Sequence, residues 1–205
     1  MLDVYHFDQL LTKQCLELEK YLQYLIDSNQ RVMHLRFVPV IDEQFLSFSK
    51  HEQIKMAQQP PVNRQQLAYR LALDFKAAQL EGNKKARHFL MHMQEALVAK
   101  HKDYSEDLVQ EVAEFLDMDT DDFLHNRMDI DTINALIAEQ SYVKDNIAHT
   151  TPSILIENYR QNLAECFRNC TLQDLKALFE PDAQTPPTNL PAAHTIFSKK
   201  SPKLV

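Results

Sequence analysis

The spacing of apolar residues changes twice along this chain, and that change constrains the fold more than any other feature. Leu2 to Phe7 alternates with period two and is rich in β-formers, which predicts a strand. From about Thr12 to Ser28 the period lengthens. Leu16, Leu18, Tyr21, Leu22, Leu25 and Ile26 then make one broad apolar helical face. Val32 to Ile41 returns to alternation, with Met33, Leu35 and Phe37 on one side. Strand, long helix, strand is a βαβ unit, so a parallel pair with a right-handed crossover is expected.

From about Asn63 to Asn146 the period is helical throughout, with almost no strand signal. Asn63 stands three before Gln66, and Asn83 follows the break at Gly82. Ser105 precedes an acidic pair, Asp119 precedes Asp121 and Asp122, and Asp129 and Asp131 precede TINALIAEQ. Each places a side-chain acceptor where free helix N–H groups need one, with acids favoured in the first turn. Five helices are predicted. PSILIEN and NLAECFRN follow as two short strands around the polar turn YRQ, an antiparallel hairpin. TLQDLKALFE closes as an amphipathic helix, with Thr171 and Asp174 spaced as in a capping box. Pro181 to Val205 holds five prolines and few large apolar residues, which predicts a disordered tail. The expected organisation is 1–62, a helical insertion over 63–146, 147–180, and the tail 181–205.

Composition excludes several classes of function. The net charge of -7 argues against nucleic acid, whose phosphates call for a basic face. No apolar run approaches the roughly 18 residues that a membrane span needs. The start, MLDVYHFD, enters a strand pattern without a basic-then-apolar leader. Cys15, Cys166 and Cys170 are few and odd in number, which fits a reducing compartment. A cytoplasmic location is expected. Gly82 is the only glycine, so no Gly-rich phosphate loop is possible.

A βαβ unit, an all-helical block, a hairpin and a last helix resemble a thioredoxin fold with a helical insertion, an α/β class. Two stretches sharpen the resemblance. In TKQC a helix starts where a C-x-x-C would sit, and in HTTPSILIEN a Thr-Pro leads straight into an apolar strand. The whole order, with KKARHFLMHMQEAL and LVQEVAEFLDMDTDDF in the insert, resembles the DsbA-like branch. The F-D-x-L-x-x-x-x-C-x-x-L-E spacing and the TPS triplet resemble the cytoplasmic ClpXP adaptors of the SpxH/YjbH group. The resemblance implies that Pro152 is cis and packs beside a redox-like site of Thr12, Cys15 and Pro152. It also implies that Thr151 and His149 line that site, and that the partners are an Spx-like regulator and the ClpX machinery. The departure is Thr12, which stands where the first cysteine of C-x-x-C belongs.

That departure decides the chemistry open to the chain. In a C-x-x-C pair the first thiol lies at a helix N-terminus, where free N–H groups stabilise the thiolate. A threonine hydroxyl is far too weak an acid for disulfide exchange, but it caps a helix well. Cys15 has two readings, a small buried core residue or a lone T-x-x-C thiol of the peroxiredoxin kind. The proline that accompanies the latter is missing from DQLLTKQC. Cys166 is expected in the core and Cys170 at the surface. His88 and His92 share a helix face with Glu95 but lack the H-E-x-x-H glutamate, and DMDTDD lacks the glycine of a calcium loop, so no metal is expected. His149 is either a loop residue without a duty or a group that tunes the thiol.

Two functions follow as expectations. One is a cofactor-free adaptor or binding module. The other is a thiol-disulfide oxidoreductase, or a glutathione-dependent enzyme of the kappa type using Cys15 or Thr12.

Overall fold

The structure, a computed structural model, describes residues 2–28, 33–146, 151–158, 162–180 and 194–195, with backbone alone at 145, 146, 194 and 195. His149, the YRQ turn and most of the 181–205 tail lie outside the described residues. The chain divides into two compact units. One comprises residues 1–9, 13–38 and 147–205, and the other residues 10–12 and 39–146.

The first unit is built on a five-stranded sheet. Strand β1 (Leu2–Asp8) leads to helix α1 (Lys13–Asp27) and then β2 (Met33–Pro39). Strands β3 (Ser153–Asn158) and β4 (Leu163–Arg168), helix α8 (Leu172–Phe179) and the two-residue β5 (His194–Thr195) complete it. The sheet order is β2-β1-β3-β4-β5. β1 and β3 are antiparallel with Phe7 opposite Ser153, and β3 and β4 are antiparallel with Ser153 opposite Arg168. β2 lies beside β1 after a helical return, the connection that a parallel pair requires. Because β1 is interior to the sheet, Val4, Tyr5, His6 and Phe7 are buried on successive positions, so both of its faces are covered. α1 buries Cys15, Leu16, Leu18, Leu22 and Leu25. Each fully buried leucine there stabilises the fold by about 2 kcal/mol.

α8 begins with the capping box its sequence predicts. Thr171 Oγ1 accepts the Asp174 N–H at 3.3 Å, and the Thr171 N–H donates to Asp174 Oδ2 at 2.8 Å. β5 departs from expectation. His194 pairs with Cys166 and Thr195 with Glu165, so this part of the tail is a strand on the sheet edge instead of unstructured chain.

The second unit is helical: α2 (Lys50–Gln58), α3 (Arg64–Ala78), α4 (Asn83–Gln94), α5 (Glu106–Phe115), α6 (Thr120–Asn126) and α7 (Ile130–Asn146). The predicted caps at Asn63, Ser105 and Asp119 accept from Gln66, Leu108 and Asp122 N–H groups at 2.8, 3.1 and 3.2 Å. At α4 the cap position is Gly82 and not Asn83. Its φ of 105° suits glycine, and a Cβ there would meet nothing within 4 Å, so the demand comes from the backbone alone. Helix α2 was not legible as apolar periodicity, since it buries only Gln53 and Ala57. Its start carried a signal, because Ser49 and Glu52 form a complete capping box.

The core of this unit holds charge as well as hydrocarbon. Arg127 Nε donates to Asp74 Oδ1 at 2.7 Å, and both side chains are fully buried. Tyr104 donates to Asp74 Oδ2 at 2.7 Å and accepts from Arg127 Nη2 at 2.7 Å, while Glu106 takes both Arg127 and Arg70. Burial pushes the Arg127 pKa down, but Asp74, Tyr104 and Glu106 outweigh it and hold the guanidinium charged.

Candidate functional site

The C-terminal end of β1, the first turn of α1 and the N-terminal end of β3 meet at one end of the sheet. Phe7 is the last β1 residue paired with β3, opposite Ser153, and Pro152 directly precedes that pair. The Thr151–Pro152 peptide bond is cis. Pro152 is buried and Thr151 half-buried. The Pro152 carbonyl accepts the Cys170 N–H at 3.0 Å, and the Cys170 carbonyl accepts Gln14 Nε2 at 3.2 Å. These two bonds tie the start of β3, the loop before α8 and the first turn of α1 together.

Cys15 sits at the bottom of that turn. It is fully buried, and the Gln9 N–H donates to its sulfur at 3.4 Å. Helix geometry places Glu19 one turn further along the same buried face. His6 and Asp8 share one face of β1, since strand side chains alternate. All three are completely buried, and His6 Nδ1 lies 3.9 Å from Glu19 Oε1. That distance is too long for a hydrogen bond, and neither ring nitrogen of His6 has a hydrogen-bond partner among the described residues. The ring meets Phe37 edge-on at 5.8 Å. Burial therefore lowers the His6 pKa and keeps the imidazole neutral, against a weaker opposing pull from Asp8.

Thr12 is the half-buried residue immediately before α1, and by its contacts it groups with Leu10 and Leu11 in the helical unit. Two side chains of that unit hold this segment by its backbone. Arg64 Nη2 donates to the Leu11 carbonyl at 2.6 Å, and Gln94 Nε2 donates to the Leu10 carbonyl at 3.0 Å.

Of the residues expected at the site, Cys15 and Pro152 lie at the same end of the sheet, Thr151 precedes Pro152, and Thr12 opens the α1 turn. His149 lies outside the described residues. Cys170 corrects its expected surface position. It is fully buried, and burial, with Asp174 adding to it, pushes its thiol up to about 12. Burial also raises the Cys166 thiol, against Arg168. Gln14, His6, Asp8 and Glu19 were not singled out from sequence. The i, i+2 spacing of His6 and Asp8 and the i, i+4 spacing of Cys15 and Glu19 were the available signals. His92 stacks edge-on against Phe115 at 5.0 Å, and among the described residues no three His, Cys, Asp or Glu side chains converge as a metal site requires.

Chemically, this end of the sheet offers a buried thiol with one main-chain donor, and the same unit buries a neutral histidine. It has no second thiol within the turn.

The thioredoxin family description matches residues 5–177 of this chain. No curated protein matches it. A solved structure from Nitrosomonas europaea, provisionally described as a protein disulfide isomerase, superposes with a TM-score of 0.65 at 11% identity. That match covers 88% of this chain and 96% of the other. The thiol-disulfide exchange protein alpha-DsbA2 of Wolbachia pipientis gives 0.54 at 14% identity, covering 89% and 82%. At these identities the likeness is one of fold, a DsbA-like thioredoxin fold.

Proposed function

The chain belongs to the thioredoxin family, and from that premise we propose that it is a protein-binding module which has given up dithiol exchange. One observation carries this reading. The position for an exposed nucleophile at the start of α1 is Thr12, and the thiol three residues on, Cys15, is completely buried. A buried thiol cannot reach the disulfide of a client, and a hydroxyl cannot exchange with one. The partner in this proposal is an Spx-like regulator, presented to a ClpX-type machine in the cytoplasm without a cofactor. The F-D-x-L spacing before Cys15 and the TPS triplet support that choice. A calorimetric titration with an Spx-like regulator, run beside an insulin-reduction assay, tests it. Binding without reduction is expected, and catalysed reduction of insulin would refute the proposal.

The Gln9 N–H donating to the Cys15 sulfur favours a second reading, because a donor at that sulfur stabilises thiolate over thiol. Under it Cys15 reacts, or Thr12 holds the thiolate of glutathione as in kappa-type enzymes. Rapid alkylation of Cys15 at neutral pH, or saturable glutathione binding, would select this alternative.

A further inference from the structure

Charge is distributed unevenly along this chain. Residues 103–131 hold eleven of its 29 Asp and Glu side chains and one of its 22 Lys and Arg, while the other 176 residues carry 18 acids against 21 Lys and Arg. All of the net negative charge therefore lies in α5, α6 and their flanks. The one Arg there, Arg127, is buried and taken up by Asp74 and Glu106. Some of these acids serve the fold. Asp119 caps α6, and Glu106 and Asp107 lie in the first turn of α5, where the dipole favours them. Glu111 and Glu114 do not. Glu114 stands in the last turn, which holds no basic residue and where the dipole disfavours an acid. Glu111 stands one turn beyond Asp107, a like-charge pair. These exposed acids cost helix stability, and they frame Phe115, which is 71% exposed. Phe115 lies one turn beyond Glu111 on the same face, and its ring meets the exposed His92 of α4 edge-on at 5.0 Å.

We propose that this face of α5, centred on Phe115, docks a basic segment of a protein partner, with Lys or Arg side chains on either side of one large apolar anchor. The anchor covers Phe115 and His92, and the cations face the exposed Glu111, Glu114 and Asp117. Sign decides the occupant. Nucleic acid and anionic lipid are repelled by such a surface, and two copies meeting by the same face set acid against acid. A cationic polypeptide gains on both counts. The aromatic ring supplies area that binding buries, while the acids speed encounter and fix register. α5 is about 15 Å long, which suits a helical guest of about ten residues. The inference goes beyond the binding-module reading, because neither Thr12 nor any thiol takes part in it.

The test uses the full chain and a dye-labelled peptide of about twelve residues, built of lysine and leucine around one phenylalanine, with binding read by fluorescence anisotropy. Wild type is expected to bind it, and Kd should rise about five-fold between about 50 and about 150 mM salt. Phe115→Ala should weaken binding about ten-fold. The double variant Glu111→Gln, Glu114→Gln should weaken it about five-fold at the lower salt and flatten the salt dependence. A charge-matched control, Glu17→Gln with Glu43→Gln, removes two exposed acids elsewhere and should change Kd less than about two-fold. Wild type that fails to bind would overturn the proposal, and so would a Phe115→Ala variant that binds as wild type does. Equal weakening by the control and the glutamate variant would reveal attraction to overall charge alone, which also overturns it. In sedimentation without peptide, a wild-type monomer supports the proposal. Self-association that the glutamate variant abolishes would give the face to a second copy and overturn it. If Phe115→Ala failed to fold, the glutamate variant would decide: weakening beyond the control supports the site, and none refutes it.

Discussion

Both units bury charged and titratable side chains, but they complete them differently. In the helical unit, Arg127, Asp74 and Tyr104 meet at 2.7 Å, and Lys76 meets Glu139 at 2.8 Å. In the sheet unit, His6 stands 3.9 Å from Glu19, and among the described residues neither of its ring nitrogens has a hydrogen bond. A closely paired buried charge is costly to disturb, because removing one partner strands the other in a low dielectric. An incompletely bonded buried imidazole is a weak point whose cost depends on pH. The difference separates polar groups that fasten a structure from a buried imidazole whose protonation can tune it.

The largest effect should come from breaking the fastened cluster. Arg127→Met leaves Asp74 buried without its cation and should cost about 3–5 kcal/mol in urea unfolding. A loss below about 1 kcal/mol would show that the network is not fastening the helical unit.

The tunable cluster should show itself in pH. The folded pKa of His6 lies below its ordinary 6.5, so the unfolded chain binds the proton more readily. The stability due to neutral His6 is therefore complete above about pH 6.5 and is lost as pH falls from there toward the folded value. The slope approaches about 1.4 kcal/mol per pH unit within that window. His6→Leu should flatten this part of the profile relative to wild type. Equal slopes in the two proteins between pH 6.5 and 5 would remove His6 from the account.

The thiols sharpen the comparison at the site itself. Native protein at pH 8 should leave Cys170 unlabelled by an alkylating agent, since its thiol titrates only near 12, whereas denatured protein should label fully. Slow labelling of Cys15 would agree with its burial. Thr12→Cys should then create a pair that oxidises readily, because a helix N-terminus favours thiolate. Its partner affinity should change little, as recognition draws on a wider surface.

The smallest effect belongs to the caps. Ser105→Ala removes the acceptor for the Leu108 N–H and should cost about 1 kcal/mol, without altering the pH profile.

These contrasts also mark how far the sequence could be read. Periodicity alone carried β1, α1 and β2, because a two-residue or 3.6-residue repeat is a local property that survives without knowing the partner. Caps were legible for the same reason. The Asn63, Ser105 and Asp119 acceptors act within three residues of themselves. Helix α2 escaped because its local cap was not backed by an apolar face. Cys170 was misplaced because its burial comes from chain 156 residues away, through Gln14, and from the Pro152 carbonyl. The pairing of His194 and Thr195 with β4 is likewise non-local, and no proline count could have indicated it. At the site, the sequence by itself determined that Thr12 replaces a nucleophile and that one thiol remains in the turn. Only the tertiary structure decided that this thiol is sealed from solvent, and that a neutral histidine with two carboxylates lies in the same core. Burial and the dielectric around a titratable group are set by residues that the chain brings together from far apart.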